Sequence, residues 1–166
     1  MQILGEGRFL RLVSVDGWEY VERQKITGIV VIAALTADDE VVLIEQVRPS
    51  VRQAVIELPA GLVGDDFADE ALETAALREL EEETGYTAAE MEIVAEGPSS
   101  AGLASEIITI LVARGLTKTG PGGGVPGEEE IVTHLVPRTQ VRAWLTERRQ
   151  QGTLIDPKVY AGLFFL

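Results

Sequence analysis

The sequence predicts an α/β or α+β fold in which a mixed β-sheet is sandwiched between helices. Three observations lead to this prediction. β-rich runs fill the first third of the chain, a helical segment with an unusual charge pattern follows, and further β-rich runs come after that segment. Strand runs on both sides of a helix favour a mixed sheet with helices packed outside it.

The first elements are predicted to form an antiparallel β-hairpin. Asp16-Gly17 separates the runs 8–15 and 18–23, and an Asp-Gly pair between β-rich runs is typical of a two-residue hairpin turn. The later strands are predicted at 26–35, 40–47, 55–58, 91–95 and 107–113.

The helix after the first strands has carboxylates where its apolar side chains should continue. One face begins with three apolar residues at helical spacing, Leu72, Ala75 and Ala76. The same face continues to Glu79 and Glu83, and Glu82 flanks them. Carboxylates this close repel one another unless a cation or an arginine such as Arg78 compensates. An all-oxygen set suits magnesium or manganese, so the pattern predicts metal-assisted attack of water on phosphorus; a solvated glutamate-rich helix is the alternative.

The ends of the other elements follow from capping and breaking residues. Asp66 or Asp69 is predicted to cap the carboxylate helix and Gly85 to end it. The glycine and proline cluster within 115–126 predicts a mobile loop, and helices are predicted within 137–151 and 157–166. His134 lies in an apolar run, which favours a structural role.

Composition limits the classes of protein that fit. A chain of 166 residues with 46% hydrophobic content predicts one domain over 1–166. It has no apolar run of about 20 residues and no signal-peptide pattern, so we expect a cytoplasmic protein without a membrane partner. The absence of cysteine excludes thiolate nucleophiles and cysteine-bound zinc. The formal net charge of −13 disfavours nucleic acid as a partner.

The spacing of the carboxylate segment extends beyond the helix face. Its defined positions are Gly64, Glu70, Arg78-Glu79-Leu80, Glu82-Glu83 and Gly85-Tyr86. At each of them the segment 64–86 resembles the Nudix box of the Nudix hydrolases. The resemblance implies the Nudix fold, a Mg²⁺ or Mn²⁺ ion held by Glu79, Glu82 and Glu83, and an orienting role for Arg78.

The stretch from Gly64 to Glu70 is about three residues longer than is usual in the relatives that act on ADP-ribose. Either Gly61 or Gly64 is therefore the structural equivalent of the box glycine. The backbone carbonyl that ligates metal before that glycine would belong to Ala60 or Val63, respectively. Pro59-Ala60-Gly61 resembles the family closely, which favours Ala60.

The substrate class is suggested by two motifs before the box. The segments 45–49 and 56–62 resemble ADP-ribose and nucleoside-diphosphate-sugar pyrophosphatases of the Nudix family. The resemblance implies that Arg48 contacts the substrate diphosphate and that Glu57 is a site carboxylate. The alternatives are a surface arginine and a strand residue that faces solvent.

Three further regions are candidates for substrate contacts. The segment 98–106 resembles the Ser-Pro-Gly-x-x-x-Glu loop of these enzymes, with alanine in place of proline and with Gly102 and Glu106 in place. Trp18 lies in the hairpin, where related enzymes hold the base; core or interface packing is the alternative. The resemblance implies a catalytic base in the acidic run 128–130, and we favour Glu129 over Glu128. A solvated acidic turn is the alternative there, with Glu82 or Glu83 then polarising water through the metal.

These observations predict hydrolysis of a nucleoside diphosphate linked to a sugar, with ADP-ribose giving AMP and ribose 5-phosphate. Family resemblance further implies a homodimer that exchanges the N-terminal strands in 1–25. Another nucleotide substrate, such as a dinucleoside polyphosphate or a damaged nucleoside triphosphate, is the first alternative. A non-hydrolysing sensor of ADP-ribose is the second.

Overall fold

The computed structural model describes residues 1–64, 70–124 and 130–166. In these residues the helices are α1 (Leu72–Thr84), α2 (Val141–Gln150) and α3 (Pro157–Leu163). The strands are β1 (Gln2–Glu6), β2 (Leu10–Val15), β3 (Trp18–Arg23), β4 (Gly28–Leu35), β5 (Glu40–Arg48), β6 (Gln53–Glu57), β7 (Ala60–Val63), β8 (Tyr86–Thr87), β9 (Glu90–Pro98), β10 (Ile107–Arg114), β11 (Thr117–Lys118), β12 (Val132–Pro137) and β13 (Leu154–Ile155).

The N-terminal strands form an antiparallel sheet of their own, in the order β1-β2-β3. The predicted hairpin is confirmed as β2 and β3, which pair from Leu10↔Arg23 to Val15↔Trp18. Its turn has positive φ at both Asp16 (51°) and Gly17 (85°), as a hairpin turn of this length requires. Strand β1 adds a third strand that the sequence patterns did not indicate.

The large sheet is mixed, as predicted. Its strands run in the order β13-β6-β5-β4-β10-β9, with β12 on β5 and β7 on β4. β10 is parallel to β4 and β13 is parallel to β6, whereas the other pairs are antiparallel. β4 and β5 pair only at Ala34↔Val42 and Leu35↔Val41. Elsewhere β4 pairs with β7 and β5 pairs with β6, so the sheet divides between them.

Helices cover both faces of the sheet, which confirms the predicted sandwich. Side chains of β4 alternate between the two faces. Val30 and Ile32 pack against α1, while Val31 and Ala33 belong to a second core on the opposite face. That second core includes residues of α2 and α3, Val141, Leu145 and Val159.

Helix α1 begins later than the predicted caps require. Its N-cap is Ala71, which provides no side-chain cap, so the prediction of an Asp66 or Asp69 cap is wrong; both aspartates lie outside the described residues. The prediction for the other end is confirmed. Gly85 has a φ of 70° and its N–H donates to the carbonyl of Glu81, which ends the helix.

His134 has the contacts of a structural residue. Its Nε2 lies 2.9 Å from Oε2 of Glu45, which also accepts a hydrogen bond from Arg148. Its ring centroid lies 5.1 Å from that of Trp144 on α2. These groups fasten α2 to the face of the sheet opposite α1.

Within the described residues, every helix is too short or too polar to traverse a lipid bilayer.

Candidate active site

The carboxylates of α1 lie in its last two turns. The apolar half of the helix buries Ala75, Ala76 and Leu80 against the sheet. Because Glu83 continues that face, its side chain is carried inward, and the residue is only 7% exposed. The sequence pattern therefore predicted correctly that the buried stripe ends in a carboxylate.

Glu83 is a buried acid close to other acids. The N–H of Ala60 donates to its Oε2 at 3.0 Å. Burial raises the pKa of Glu83 to about 8, and the carboxylates of Glu79 and Glu57 add to this rise, while the Ala60 N–H and Arg48 oppose it. A bound cation would stabilise the charged form of such a group.

Strand β7 approaches the helix closely enough to touch Glu79. A Cβ on Gly61 would lie 1.9 Å from Cδ of Glu79, so any larger residue there would displace the Glu79 carboxylate from its present position. Gly64 instead lies beside Thr27 and has a φ of 85°. Gly61 is thus the glycine that faces the carboxylates.

The backbone carbonyls that precede Gly61 and Gly64 also differ in their surroundings. The carbonyl of Val63 accepts hydrogen bonds from the backbone N–H and the hydroxyl of Thr27, at 2.8 and 3.2 Å. Val63 therefore has its oxygen engaged away from the carboxylates. This favours Ala60, whose N–H already bonds to Glu83, as the carbonyl nearest a metal.

Arg78 connects the start of the helix with its carboxylate half. Its Nε and Nη2 donate to both oxygens of Glu70, at 3.1 and 3.2 Å. Its Nη1 donates to Glu79 at 2.8 Å and to Glu82 at 3.3 Å. These contacts lower the pKa of Glu70 and raise that of Arg78. Arg78 therefore holds two of the predicted metal ligands together, as expected for an orienting residue.

The donors fit a hard divalent cation. In the part of the chain that the structure describes, no three acidic or imidazole side chains already converge as a complete cage. Magnesium needs no such cage, because it keeps several waters and uses one or two carboxylates together with substrate phosphates. Glu79 and Glu82 meet at one nitrogen of Arg78, and Glu83 lies within electrostatic range of Glu79.

Across from the helix, Arg48 and Glu57 form a second polar group. Nε of Arg48 lies 3.1 and 3.0 Å from the two oxygens of Glu57, and Nη2 lies 2.6 Å from Oε2. Gln46 also donates to Glu57, at 3.0 Å. Glu57 is only 8% exposed, so the alternative of a solvent-facing strand residue is wrong. The half-exposed guanidinium of Arg48 is thereby aligned by a buried carboxylate.

A cleft of about 640 Å³ opens where β4 and β5 separate. Part of its lining is apolar and comes from Ile29, Val31 and Ile108. It is also lined by Ala60 and Gly61, which lie next to the carboxylates of α1, and by Glu57. Its lining also includes three cationic side chains from distant parts of the chain, Arg23, Arg48 and Lys158.

The other predicted residues divide between the cleft and the surface. Glu106 lines the cleft. Gly102 and Trp18 are exposed outside it, Trp18 by 73%, and their substrate contacts stay predictions. Glu128 and Glu129 lie outside the described residues, and Glu130 is exposed.

The sequence reasoning missed two groups of residues. Arg23 and Lys158 line the cleft because strand pairing brings their segments there, and no local spacing marks them. The second group caps the carboxylate helix. Gly123 and Gly124 donate their N–H groups to the carbonyls of Glu83 (2.9 Å) and Glu82 (3.0 Å).

Further cap contacts come from side chains. Nζ of Lys118 donates to the carbonyl of Thr84 at 2.7 Å, and the hydroxyl of Thr133 donates to the carbonyl of Glu83 at 3.3 Å.

The glycine cluster predicted a mobile loop, yet its described part is packed on α1. A Cβ on Gly122 would lie 2.4 Å from the backbone carbon of Thr84. The glycines are thus needed for close approach.

Comparison with known proteins gives a consistent family. The NUDIX domain family matches residues 26–156. The chain is 34% identical to the methanol dehydrogenase activator of Bacillus methanolicus over 141 residues, which are 84% of this chain and 71% of that protein. It is 36% identical to the ADP-ribose pyrophosphatase of Bacillus subtilis (strain 168) over 93 residues, 56% of this chain and 49% of that one.

Two further similarities extend this comparison. The ADP-sugar pyrophosphatase of Mus musculus is 31% identical over 128 residues, 73% of this chain and 56% of its own, so the chain spans about half the length of the two pyrophosphatases. A crystal structure of an ADP compounds hydrolase aligns with a TM-score of 0.65 at 21% identity. It covers 86% of this chain and 80% of that one, and it supports the fold.

Proposed function

The chain belongs to the NUDIX domain family and is similar to ADP-ribose and ADP-sugar pyrophosphatases of that family, and on that premise we propose that it hydrolyses nucleoside diphosphate sugars. ADP-ribose is the leading substrate, with AMP and ribose 5-phosphate as products. The observation that carries the proposal is the carboxylate half of α1, which lies against Gly61 at a cleft that also contains Arg48. Acidic ligands and a cationic group facing one cleft suit a diphosphate bridged by a divalent ion.

In the proposed reaction, water forms a bond to one phosphorus of the diphosphate and the bond from that phosphorus to the bridging oxygen breaks. The bridging oxygen leaves on the other phosphate, and the water's protons pass to a base and the solvent. Magnesium or manganese, when bound, would neutralise the diphosphate and lower the pKa of a coordinated water. Glu79, Glu82, Glu83 and the carbonyl of Ala60 would hold it.

The remaining roles follow from the contacts of each side chain. Arg78 keeps Glu79 and Glu82 oriented through its Nη1. Arg48, aligned by Glu57, donates to the diphosphate oxygens. Glu129 is the proposed base, with Glu128 as the next choice, because the family resemblance implies a catalytic carboxylate in the acidic run 128–130.

The test is a substrate panel with product analysis. Purified protein with Mg²⁺ or Mn²⁺ is incubated with ADP-ribose, ADP-glucose, a dinucleoside polyphosphate and nucleoside triphosphates, and products are separated by anion exchange. AMP and ribose 5-phosphate formed fastest from ADP-ribose would support the proposal, and ¹⁸O-labelled water would mark the attacked phosphorus. Faster turnover of the dinucleoside polyphosphate or of a triphosphate would show that nucleoside diphosphate sugars are not the preferred substrates.

One comparison favours a second function. The methanol dehydrogenase activator matches more of this chain than the two pyrophosphatases do, and its name describes an action on another enzyme. Activation of a partner dehydrogenase is therefore a second candidate. Binding of ADP-ribose without turnover in the panel, together with a rate increase of an added dehydrogenase, would favour it.

We also propose that the protein is a homodimer. The N-terminal sheet exposes a set of large apolar side chains, Ile3, Leu4, Phe9, Leu10, Leu12 and Trp18. A surface of this kind is typical of a protein interface. Sedimentation analysis is expected to give twice the chain mass of 17.9 kDa. A monomer at micromolar concentration would contradict the proposal.

A further inference from the structure

The C-terminal end of α1 carries a concentration of negative charge. Four glutamates lie in its last two turns, Glu79, Glu81, Glu82 and Glu83, and its last turn contains no basic residue. The carbonyl groups at a helix C-terminus add partial negative charge. Because like charges at one end of a helix repel one another, a positive charge from another part of the chain would stabilise this end.

Lys118 brings such a charge to the end of α1. It belongs to β11, where it pairs with Tyr86 of β8. Its Nζ donates to the carbonyl of Thr84, the last residue of α1, at 2.7 Å. The same ammonium lies 4.5 Å from the centroid of the Tyr86 ring, which is typical of a cation–π contact. The Lys118 side chain is thus held by two groups at the negative end of the helix dipole.

The carbonyl that Lys118 binds lies beside two of the proposed metal ligands. Thr84 directly follows Glu82 and Glu83 in the chain, and it is fully buried. The hydroxyl of Thr84 donates to the carbonyl of Leu80, one turn earlier. Because the side chain of Thr84 is bonded within the helix and its carbonyl is bonded to Lys118, the last turn of α1 is fixed at this residue.

The other hydrogen bonds to this end of the helix have neutral donors. Gly123 and Gly124 donate backbone N–H groups to the carbonyls of Glu83 and Glu82. Such bonds satisfy the carbonyls without adding charge, whereas a hydrogen bond from an ammonium does both and is roughly twice as strong. Lys118 does not line the cleft, so any effect of Lys118 on the site has to pass through the helix.

We propose that Lys118 is a positioning residue for the metal site of α1. Its ammonium holds the last turn of the helix, and with it the backbone from which Glu82 and Glu83 reach the divalent ion. The inference rests on the proposed function for the presence of that ion. It assigns Lys118 no contact with the metal or with substrate.

Removal of Lys118 has two effects of opposite sign on metal affinity. Loss of a positive charge favours a bound cation, whereas loss of the hydrogen bond loosens the turn that carries the ligands. Lys118 is exposed, so water and salt screen the first effect. Lys118→Met should therefore bind Mn²⁺ about 3- to 10-fold more weakly than wild type, a smaller loss than the 10- to 100-fold typical of residues bonded directly to a metal ligand.

The experiment measures Mn²⁺ affinity by electron paramagnetic resonance for wild type, Lys118→Met, Lys118→Arg and Arg138→Gln. Lys118→Arg keeps a charged donor and should recover most of the affinity. Arg138→Gln is the matched control, because Arg138 is also an exposed cation that donates to a backbone oxygen, that of Leu166, at 2.7 Å. It should match wild type. Equal or tighter binding by Lys118→Met would overturn the proposal, and so would an equal loss in Arg138→Gln.

Hydrogen exchange of the metal-free protein tests the link between Lys118 and the helix. The amide of Gly85 donates to the carbonyl of Glu81 at 2.8 Å and reports on the last turn of α1. The amide of Ala75 donates to the carbonyl of Ala71 at 3.0 Å and reports on the first turn. Lys118→Met should speed exchange at Gly85 by about tenfold and leave Ala75 unchanged. An equal change at both amides, or no change at either, would contradict a specific action on the last turn.

These two measurements separate failure of the inference from failure of the proposed function. Where wild type binds Mn²⁺ but hydrolyses no nucleotide sugar, the proposed function fails and the affinities still decide the role of Lys118. A wild type that binds no Mn²⁺ overturns the inference. Circular dichroism melting curves identify a variant that fails to fold, and Lys118→Gln, which keeps a neutral donor, then replaces Lys118→Met.

Discussion

The two ends of α1 are built in different ways. At the N-terminus, Ala71 leaves the first turn without a side-chain cap, and Arg78 reaches back from within the helix to Glu70. At the C-terminus, glycine N–H groups and the side chain of Lys118 occupy the last carbonyls. The predicted metal ligands lie in the second, densely bonded half. The hydrogen bonds from outside the helix thus fix the backbone of α1 in the half where carboxylates must be held near one another.

The largest expected effect lies in the carboxylate half itself. Glu83→Gln should lower the rate of ADP-ribose hydrolysis by at least about 100-fold, because it removes a buried carboxylate that is proposed to hold the metal. Glu81→Gln is the matched control, since Glu81 is exposed on the same helix. The measurement is kcat/KM for both variants with Mg²⁺. Similar losses in the two variants would contradict a functional difference between the buried and the exposed face of α1.

The C-terminal cap is expected to depend on Gly122. Gly122→Ala places a Cβ 2.4 Å from the backbone of Thr84 at a φ of 70°, so it should lower the free energy of unfolding by about 1–3 kcal/mol and reduce activity as well. Gly120→Ala, in the same segment, meets no atom within 4 Å and should change little. Urea unfolding of both variants measures the difference. Equal stability would mean that the packing of this loop does not support the helix.

The ion pair between Arg78 and Glu70 should make the stability of the protein depend on pH. Arg78 lowers the pKa of Glu70, so the ion pair contributes stability above the usual pKa of glutamate, and this is lost as pH falls through the lowered value. Glu70→Gln should therefore be less stable than wild type near pH 7, and the gap should close in acid. Thermal melts from pH 7 to pH 3 test this. A gap that stays constant over that range would contradict it.

The smallest effect is expected at the missing cap. Ala71→Ser supplies a side-chain acceptor at the N-cap and should raise the free energy of unfolding by about 0.5–2 kcal/mol. Because Ala71 is exposed and does not line the cleft, kcat/KM should stay at the wild-type value. Urea unfolding and the hydrolysis assay together check both parts. A change in activity would show that the two ends of α1 are coupled.

Local patterns in the sequence were sufficient for much of this architecture. Asp16-Gly17 predicted the hairpin, because few other pairs tolerate positive φ at both positions. The helical phase predicted that Glu83 would follow the buried stripe. The box spacing then gave the family, and its motifs gave Arg48 and Glu57, which the structure joins as an ion pair.

The rest depended on contacts between distant segments. Arg23 lines the cleft where β3 is hydrogen-bonded to the loop near Glu106, and Lys158 belongs to the last helix. Gly122 reads as a loop breaker in sequence, although its function in the structure is close approach to Thr84. Short-range patterns do not contain such information, because the contacts of Arg23 with Glu106 and of Gly122 with Thr84 join residues more than 30 positions apart in the chain.

The most direct test of the account is a measurement of divalent-ion binding. Electron paramagnetic resonance of added Mn²⁺ can count bound ions in wild type, Glu79→Gln, Glu83→Gln and the Glu81→Gln control, without any need for turnover. We expect wild type and Glu81→Gln to bind Mn²⁺ alike and the other two to bind it at least about tenfold more weakly. Equal Mn²⁺ affinity in all four proteins would contradict the claim that the carboxylate half of α1 holds the metal.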